Sequence, residues 1–371
     1  MRLSSIDVLR SLAIVLMVVV HFVENLSGSY GTDGGPFVGA HRHWWLPTGF
    51  AAPLFAFLSG LSYRLWLDGQ VGRGRDSATI SKATVRRGLF LAMLGFAFNV
   101  FVWMPEDVFN WDILTLIGTA LVALDVVRRM PPAVTALACG LVVTLSPALR
   151  GLADYPAAWT TGHFDYDFTL RDVVLGFLVT GYFPVFPWIV FPAAGYLAAP
   201  AILGLRVGSP GPARGPLVVG AALAAGSAVA LAAAAALPAT TTAARGWTMF
   251  PASTAYVLGT LGAAMIATTV LHRLLDGGGD RPPVPVPWLS SLSRHSLSIY
   301  LLHHLAHIWP LWACGYARTG EITSLWQVAM PPILAVACAG GFLVVALVAA
   351  RWMDRSAAPS AESMLRWLSD P

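Results

Sequence analysis

Ten apolar segments, separated by shorter polar stretches, follow one another along the chain. Each is long enough, or nearly so, to cross the roughly 30 Å hydrocarbon core of a bilayer as an α-helix. The segments are 8–27, 47–67, 87–104, 112–127, 132–149, 183–204, 216–237, 249–271, 296–312 and 326–350. The stretch 172–183 is also apolar, and it is a re-entrant segment, an interfacial segment or an eleventh crossing. The pattern predicts an all-α, polytopic membrane helix bundle with about ten transmembrane helices.

The composition agrees with a membrane location. Hydrophobic residues make up 56% of the 371 residues, charged residues make up 11%, and the mean hydropathy is +0.67. A soluble domain carries about 25% charged residues, so this apolar surplus is expected to face lipid. No stretch predicts a second, soluble domain. We therefore expect one membrane domain over residues 1–371, of which about 355–371 form a cytoplasmic tail.

The basic residues are distributed unequally between the predicted loops. With a cytoplasmic N-terminus and ten crossings, 18 of the 23 basic residues fall on the cytoplasmic side. This is the bias that the positive-inside rule requires, whereas an eleventh crossing would reverse it in every later loop. We therefore favour ten crossings with both ends in the cytoplasm. Because the basic residues lie between apolar runs, they indicate topology and do not indicate a nucleic-acid partner.

The first predicted span carries polar residues that are unusual in a membrane helix. Arg10 and His21 are eleven residues apart, close to three turns, so they share one face about 16 Å apart along the axis. Such residues are costly in lipid unless they face protein or a wet cavity. Glu24 and Asn25 follow His21 closely enough to orient its imidazole, and Asp7 precedes Arg10 by one turn. The alternative is that Asp7 and Arg10 only anchor the helix end and that His21 makes a packing hydrogen bond.

The ninth predicted span contains a second polar group, formed by His303, His304 and His307. His303 and His307 are one turn apart, a spacing that a metal ion can use. No matching cysteine or carboxylate pattern accompanies them, so we predict no metal. One of these histidines, together with Tyr300, is expected to line the same cavity as His21 and to contact substrate. A hydrogen bond between helices is the alternative, and the spacing is equally compatible with it.

Six segments of the chain resemble, in the same order, motifs of one family of membrane enzymes. The segments are Ser5–His21, Pro53–Gly60, Asp112–Gly118, Tyr182–Gly195, Phe250–Gly262 and Ser296–His303. Together they resemble bacterial membrane proteins related to the catalytic domain of heparan-α-glucosaminide N-acetyltransferase, within the wider transmembrane acyltransferase superfamily. The resemblance covers residues 5 to about 310.

This resemblance implies acyl transfer across the bacterial inner (plasma) membrane. Acetyl-CoA would donate an acetyl group from the cytoplasm to an amino or hydroxyl group of a sugar or glycan on the other side. Arg10, with Arg86 and Arg87 of the following basic loop, would bind the CoA phosphates, because arginine pairs bidentately with phosphate. His21 is the first candidate for the catalytic base or acetyl carrier, with Asp7 and Glu24 as orienting partners.

A second candidate for the catalytic histidine is His41. The segment His41–Trp44 resembles an H-x-x-W stretch before the second span of the eukaryotic catalytic domain, where a catalytic histidine lies. His43 and Trp44 are accordingly candidates for substrate binding. The alternative for this segment is a solvated loop beside an interfacial tryptophan pair, Trp44 and Trp45.

A transporter or channel for a small metabolite is the rival function. It would use the same Arg–His stripe as a pathway, and the four prolines between Tyr182 and Pro200 predict a broken helix, which is a feature of transporters. The hydropathy pattern shows no two-half symmetry, so we favour the acyltransferase. The oligomeric state, monomer or homodimer, stays open.

Overall fold

The computed structural model describes most of the chain as helix. The described residues are 3–27, 48–103, 108–160, 169–204, 214–236, 246–276, 287–356 and 358–369. Within these ranges there is no β-strand, which confirms the predicted all-α class. His41, His43 and Trp44 lie outside the described residues, so the expectations for them stay predictions.

The long helices overlap the predicted apolar segments, with bounds that differ by up to ten residues, and several short helices lie outside those segments. The helices are α1 (Ser4–Leu26), α2 (Ala51–Gly72), α3 (Ser77–Val102), α4 (Ile113–Val127), α5 (Pro132–Leu152), α6 (Tyr155–Thr160), α7 (Leu170–Leu175), α8 (Val185–Trp188), α9 (Val190–Ile202), α10 (Arg214–Ala236), α11 (Thr254–Leu275), α12 (Pro287–Arg294), α13 (Ser296–Thr319), α14 (Pro332–Ser356) and α15 (Ala361–Ser369). A π-helical turn, Gly176–Thr180, follows α7, and 3₁₀ turns lie at Thr48–Phe50 and Ile322–Leu325.

Among the described residues, seven helical stretches are long and apolar enough to cross a membrane. They are Ser4–Leu26, Ser77–Val102, Pro132–Leu152, Leu170–Ile202, Arg214–Ala235, Thr254–Leu275 and Pro332–Ser356. The shorter α4 is apolar as well, and α2 and α13 coincide with two further predicted segments. The chain is therefore a multi-pass membrane protein. The number of crossings and the cytoplasmic location of both ends stay predictions.

The stretch 170–202 is a broken helix, and its four prolines predict the break between Tyr182 and Pro200. It is divided into α7, the π-helical turn, α8 and α9. Phe186 has non-helical dihedral angles, between Pro184 and Pro187. Proline lacks the N–H that a helix interior requires, which explains why the helix is interrupted at this point.

The contacts between described residues divide the chain into two units. The first unit combines residues 1–52 with 278–366, and the second combines 53–277 with 367–371. In the first unit α1 packs against α12, α13 and α14, so the beginning of the chain meets its end. The prediction of one domain over 1–371 stays a prediction.

An apolar core holds the first unit together around α1. Its buried members are Ile14, Val18, Val20, Phe22, Val23, Leu26, Leu292, Ile299, Leu311, Ala335, Ala339 and Ala346. The small alanines of α14 bring that helix close to α1, which suits helix packing in lipid, where van der Waals contact and polar bonds replace the hydrophobic effect. The core thus fixes α13 beside α1.

In the second unit, two of the family-like segments pack on each other through glycine. A Cβ atom added to Gly60 of α2 would lie 1.8 Å from the carbonyl oxygen of Pro192. One added to Gly195 of α9 would lie 2.0 Å from the carbonyl oxygen of Phe57. Both glycines are therefore required for α2 and α9 to approach as closely as they do.

Side-chain caps explain why several helices begin where they do. Asp112 accepts hydrogen bonds from the backbone N–H groups of Leu114 and Thr115, both at 3.0 Å, at the start of α4. Asp76 caps α3 in the same way, and hydrogen bonds from the side chain and backbone of Thr79 hold the pKa of this carboxyl below its usual value. An aspartate at the N-cap satisfies amide groups that would otherwise have no partner.

Candidate functional site

The N-terminal end of α1 is tied to α12 by polar side chains. Asp7 is buried, and its Oδ1 accepts a hydrogen bond of 2.7 Å from the hydroxyl of Ser293. The Arg10 guanidinium donates to the same hydroxyl at 3.3 Å, and the hydroxyl of Ser11 donates to the carbonyl of Leu289 at 2.6 Å. Two candidate residues from the sequence, Asp7 and Arg10, therefore meet at one serine of α12.

The N-terminus of α13 is capped by a residue distant in the sequence. The carboxylate of Glu362, in α15, accepts the backbone N–H groups of Leu297 at 2.7 Å and Ser298 at 2.9 Å. It also accepts the Ser298 hydroxyl at 2.8 Å. His295, just before α13, lies 3.2 Å from a carboxylate oxygen of Asp354. These bonds fix the position of the helix that carries His303, His304 and His307.

His21 of α1 is in direct contact with two histidines of α13. Its Nδ1 lies 2.9 Å from Nε2 of His303, and its ring stacks on that of His303 with centroids 5.1 Å apart. The His304 ring is 4.6 Å from that of His21 and 4.1 Å from that of His303. His303 and His304 are buried, at 0% and 3% exposure, while His21 is partly buried. We call these three residues the histidine cluster.

The next turn of both helices makes a second polar contact. The amide nitrogen of Asn25 lies 2.9 Å from Nε2 of His307, and the Asn25 oxygen accepts a bond of 3.2 Å from the indole N–H of Trp326. Asn25 is therefore placed against His307 and not against His21, the residue that the sequence spacing suggested it would orient. The partner that orients His21 is His303.

A backbone carbonyl group determines which nitrogen of His303 carries hydrogen. Nδ1 of His303 lies 2.5 Å from the carbonyl oxygen of Tyr300, and a carbonyl can only accept a hydrogen bond. In a neutral imidazole Nε2 then holds a lone pair, so it accepts the Nδ1–H of His21. This assigns the lone pair of His21 to its Nε2, the atom that can take up a proton or an acyl group.

The remaining candidate residues in the described ranges are Arg86, Arg87, Glu24 and Tyr300. Arg86 and Arg87 belong to α3, in the second unit. Arg86 is exposed, and the Arg87 guanidinium lies 4.5 Å from the centre of the Trp66 ring. Glu24 lies one turn beyond His21 on α1, and Tyr300 is in ring contact with His303, with centroids 5.6 Å apart. The roles expected for these residues stay predictions.

The structure adds residues that the sequence did not single out. Ser293 links Asp7 to Arg10, and Glu362 caps α13, yet neither belongs to a recognisable motif. The sequence identifies His304 as part of a histidine-rich span, but its contact with His21 depends on how α1 packs against α13. The spacing of residues along one helix cannot supply that information.

A comparison with protein families identifies the chain. The model of the heparan-alpha-glucosaminide N-acetyltransferase catalytic domain matches residues 2–224, which is more than half of the 371 residues. The chain belongs to this family. A search of the curated proteins finds no match.

Membership of the heparan-alpha-glucosaminide N-acetyltransferase catalytic family supports a membrane N-acetyltransferase type of function. The matched range contains α1, with Asp7, Arg10 and His21, and it extends into α10. Helix α13 follows the matched range. The histidine cluster therefore combines one residue from the matched part of the chain with two residues from beyond it.

Proposed function

We propose that this protein is a membrane-embedded acetyltransferase. It would transfer acetyl from cytoplasmic acetyl-CoA to an amino or hydroxyl group of a sugar or glycan on the extracytoplasmic side. The observation that carries the proposal is the hydrogen-bonded pair of His21 and His303. A histidine whose second nitrogen is held by a fixed partner is the arrangement expected of a general base or nucleophile.

In the proposed reaction Nε2 of His21 removes the proton from the acceptor amine or hydroxyl. The acceptor nitrogen or oxygen attacks the thioester carbon, and the carbon–sulfur bond breaks. CoA leaves as the thiolate and takes up the proton from His21, so the histidine returns to its starting state. His303 keeps the ring of His21 oriented through the 2.9 Å bond. A transient acetyl group on Nε2 is a second route with the same overall balance.

The donor is proposed to be anchored at the other end of α1. Arg10 lies about 16 Å from His21 along the helix axis, and its contact with Ser293 places it on the face that packs against α12. His21 contacts α13, which belongs to the same unit as α12. The diphosphate of CoA would bind Arg10, and its pantetheine arm would extend toward the cluster.

A transfer assay tests the role of His21. Purified protein in nanodiscs would be given radiolabelled acetyl-CoA and a panel of amino sugars, and acetylated product would be counted. His21→Ala should lower the rate by about 10² to 10⁴, the usual contribution of a general base. His272→Ala is the matched control, because His272 pairs with Asp276 in the second unit and should retain full activity.

His41→Ala belongs in the same assay because His41 is the second candidate for the catalytic histidine. Loss of transfer in that variant, with full turnover in a folded His21→Ala protein, would move the catalytic role to His41. Full turnover in the His41 variant would agree with the assignment to His21.

A small-metabolite transporter is the second candidate function, and the broken helix at α8 and α9 is the observation that favours it. The two functions differ in what crosses the membrane. A transporter moves an intact solute into proteoliposomes, whereas the acetyltransferase moves only the acetyl group. Uptake of a labelled solute without product formation would favour the transporter.

A further inference from the structure

The histidine cluster also has the composition of a metal site. One ligand nitrogen from each of His21, His303 and His304 lies within 4.8 Å of the other two. Among the described residues, the histidine cluster is the group of three His, Cys, Asp or Glu side chains whose ligand atoms lie this close together. The cluster differs from the arrangement expected from the sequence, in which His303 and His307 shared one helix face.

The tetrahedral geometry of zinc is close to the geometry already present. Zinc–nitrogen bonds of about 2.0–2.1 Å place two ligand nitrogens roughly 3.3 Å apart. The nitrogens of His21 and His303 are 2.9 Å apart, and the widest separation in the cluster is below 4.8 Å. Side-chain rotations that draw the nitrogens closer together would bring all three to one ion.

His303 already has the surroundings of a metal ligand. Its Nδ1–H is bonded to the Tyr300 carbonyl, which directs the lone pair of Nε2 toward α1. Metal-binding histidines usually donate their other N–H to a carbonyl or carboxylate in this way. To join the site, His21 would move its hydrogen from Nδ1 to Nε2, so neutral imidazoles bind the ion without a net change in protons.

We propose that His21, His303 and His304 form a binding site for a divalent transition-metal ion, with zinc as the ion tested first. Imidazole nitrogens select zinc, copper, nickel and iron over magnesium and calcium, which prefer oxygen. Three protein ligands leave the fourth tetrahedral position open to water or another small ligand.

The bound ion is expected to inhibit acyl transfer. It would hold the His21 imidazole through the nitrogen that now bonds His303 and would fix a tautomer in which Nε2 carries hydrogen. Nε2 could then not accept the acceptor proton. This part of the inference rests on the proposed function, whereas metal binding itself does not.

Metal content measures the site directly. Tag-free protein in detergent would be stripped with a chelator, dialysed against zinc and analysed by mass spectrometry for metal per chain. Cobalt would serve as a second probe, because a tetrahedral cobalt site absorbs visible light. The wild type should retain one ion per chain, and His304→Ala or His303→Ala should bind at least about tenfold more weakly.

His307→Ala is the matched control for metal binding. It removes a histidine from the same helix, one turn from His303, that is bonded to Asn25 and lies outside the cluster. This variant should retain one ion. Thermal unfolding of each variant would establish that it is folded, and His304→Gln provides a milder replacement if the alanine variant is unstable.

A folded wild type that retains no zinc or cobalt would overturn the metal site, and so would equal binding by the wild type and His304→Ala. The transfer assay separates this failure from failure of the proposed function. Active transfer without metal binding overturns the metal site alone. One bound ion with undiminished transfer supports the site and overturns the catalytic role of His21.

Discussion

At the level of single residues, the bond between His21 and His303 is the basis of the proposed chemistry. His303 does not need to touch the substrate, because its contribution is to hold the imidazole of His21 in one orientation and one tautomer. The tautomer follows from an elementary fact, since the carbonyl of Tyr300 can accept a hydrogen bond but cannot donate one.

Replacing His303 should therefore affect turnover more than donor binding. We expect His303→Ala to lower kcat about 100-fold, because the base loses its orienting partner, and to leave KM for acetyl-CoA unchanged. His303→Gln retains an acceptor for the Nδ1–H of His21 and should recover part of the lost kcat. Steady-state kinetics with varied acetyl-CoA would measure both values.

If both variants are folded and lose kcat equally, a hydrogen-bond acceptor for His21 at position 303 does not contribute to turnover. A rise in KM with unchanged kcat would place His303 in donor binding instead.

The sequence was informative about the face that each residue occupies within its own helix, and it led to the expectation that one histidine of α13 lies near His21. Helical periodicity placed Arg10 and His21 on one face, and both do contact the C-terminal part of the first unit. The partner of His21 lies 282 residues away. No local sequence pattern specifies this partner, because the pairing depends on which face of α13 packs against α1.

At the level of helices, α2 and α9 approach each other closely in the second unit. Gly60 and Gly195 allow this approach, since each faces a backbone carbonyl of the other helix. The four prolines between Tyr182 and Pro200 predict a broken helix, and α8 and α9 are separate. The sequence does not show which glycines face a neighbouring helix. A glycine at a helix contact and a glycine on an open face cannot be distinguished by the sequence alone.

Gly60→Ala should destabilise the protein. The added methyl group would lie 1.8 Å from the carbonyl oxygen of Pro192, so α2 and α9 would have to move apart, at a cost of about 1–3 kcal/mol or more. Gly69→Ala in the same helix is the matched control, because its Cβ would meet nothing within 4 Å. Thermal unfolding in one detergent would compare both with the wild type.

We expect the melting temperature of Gly60→Ala to fall by several degrees and that of Gly69→Ala to stay level or rise slightly, as alanine favours helix. Equal melting temperatures for all three proteins would contradict the packing of α2 against α9.

At the scale of the whole molecule, composition and charge bias were sufficient for the class of protein. Membrane-length helices and the absence of strands within the described ranges agree with that class. The association of residues 1–52 with 278–366 was not predictable. Hydropathy locates spans along the chain, but it does not show which spans are neighbours.

Family membership supports the proposal that the protein uses acetyl-CoA as its donor. Binding of this donor is required whatever the acceptor is. It can therefore be tested before the acceptor is known. Arg10 is proposed to bind the CoA phosphates. Its alanine variant therefore tests whether donor binding occurs at the proposed position.

The most direct measurement is calorimetric titration of acetyl-CoA into purified protein in detergent, with free CoA and ATP for comparison. We predict saturable binding of about micromolar affinity, which Arg10→Ala weakens at least about tenfold through loss of a charged contact. Arg318→Ala, which removes an exposed arginine at the far end of α13, should bind like the wild type. A folded protein that does not bind acetyl-CoA would contradict the account.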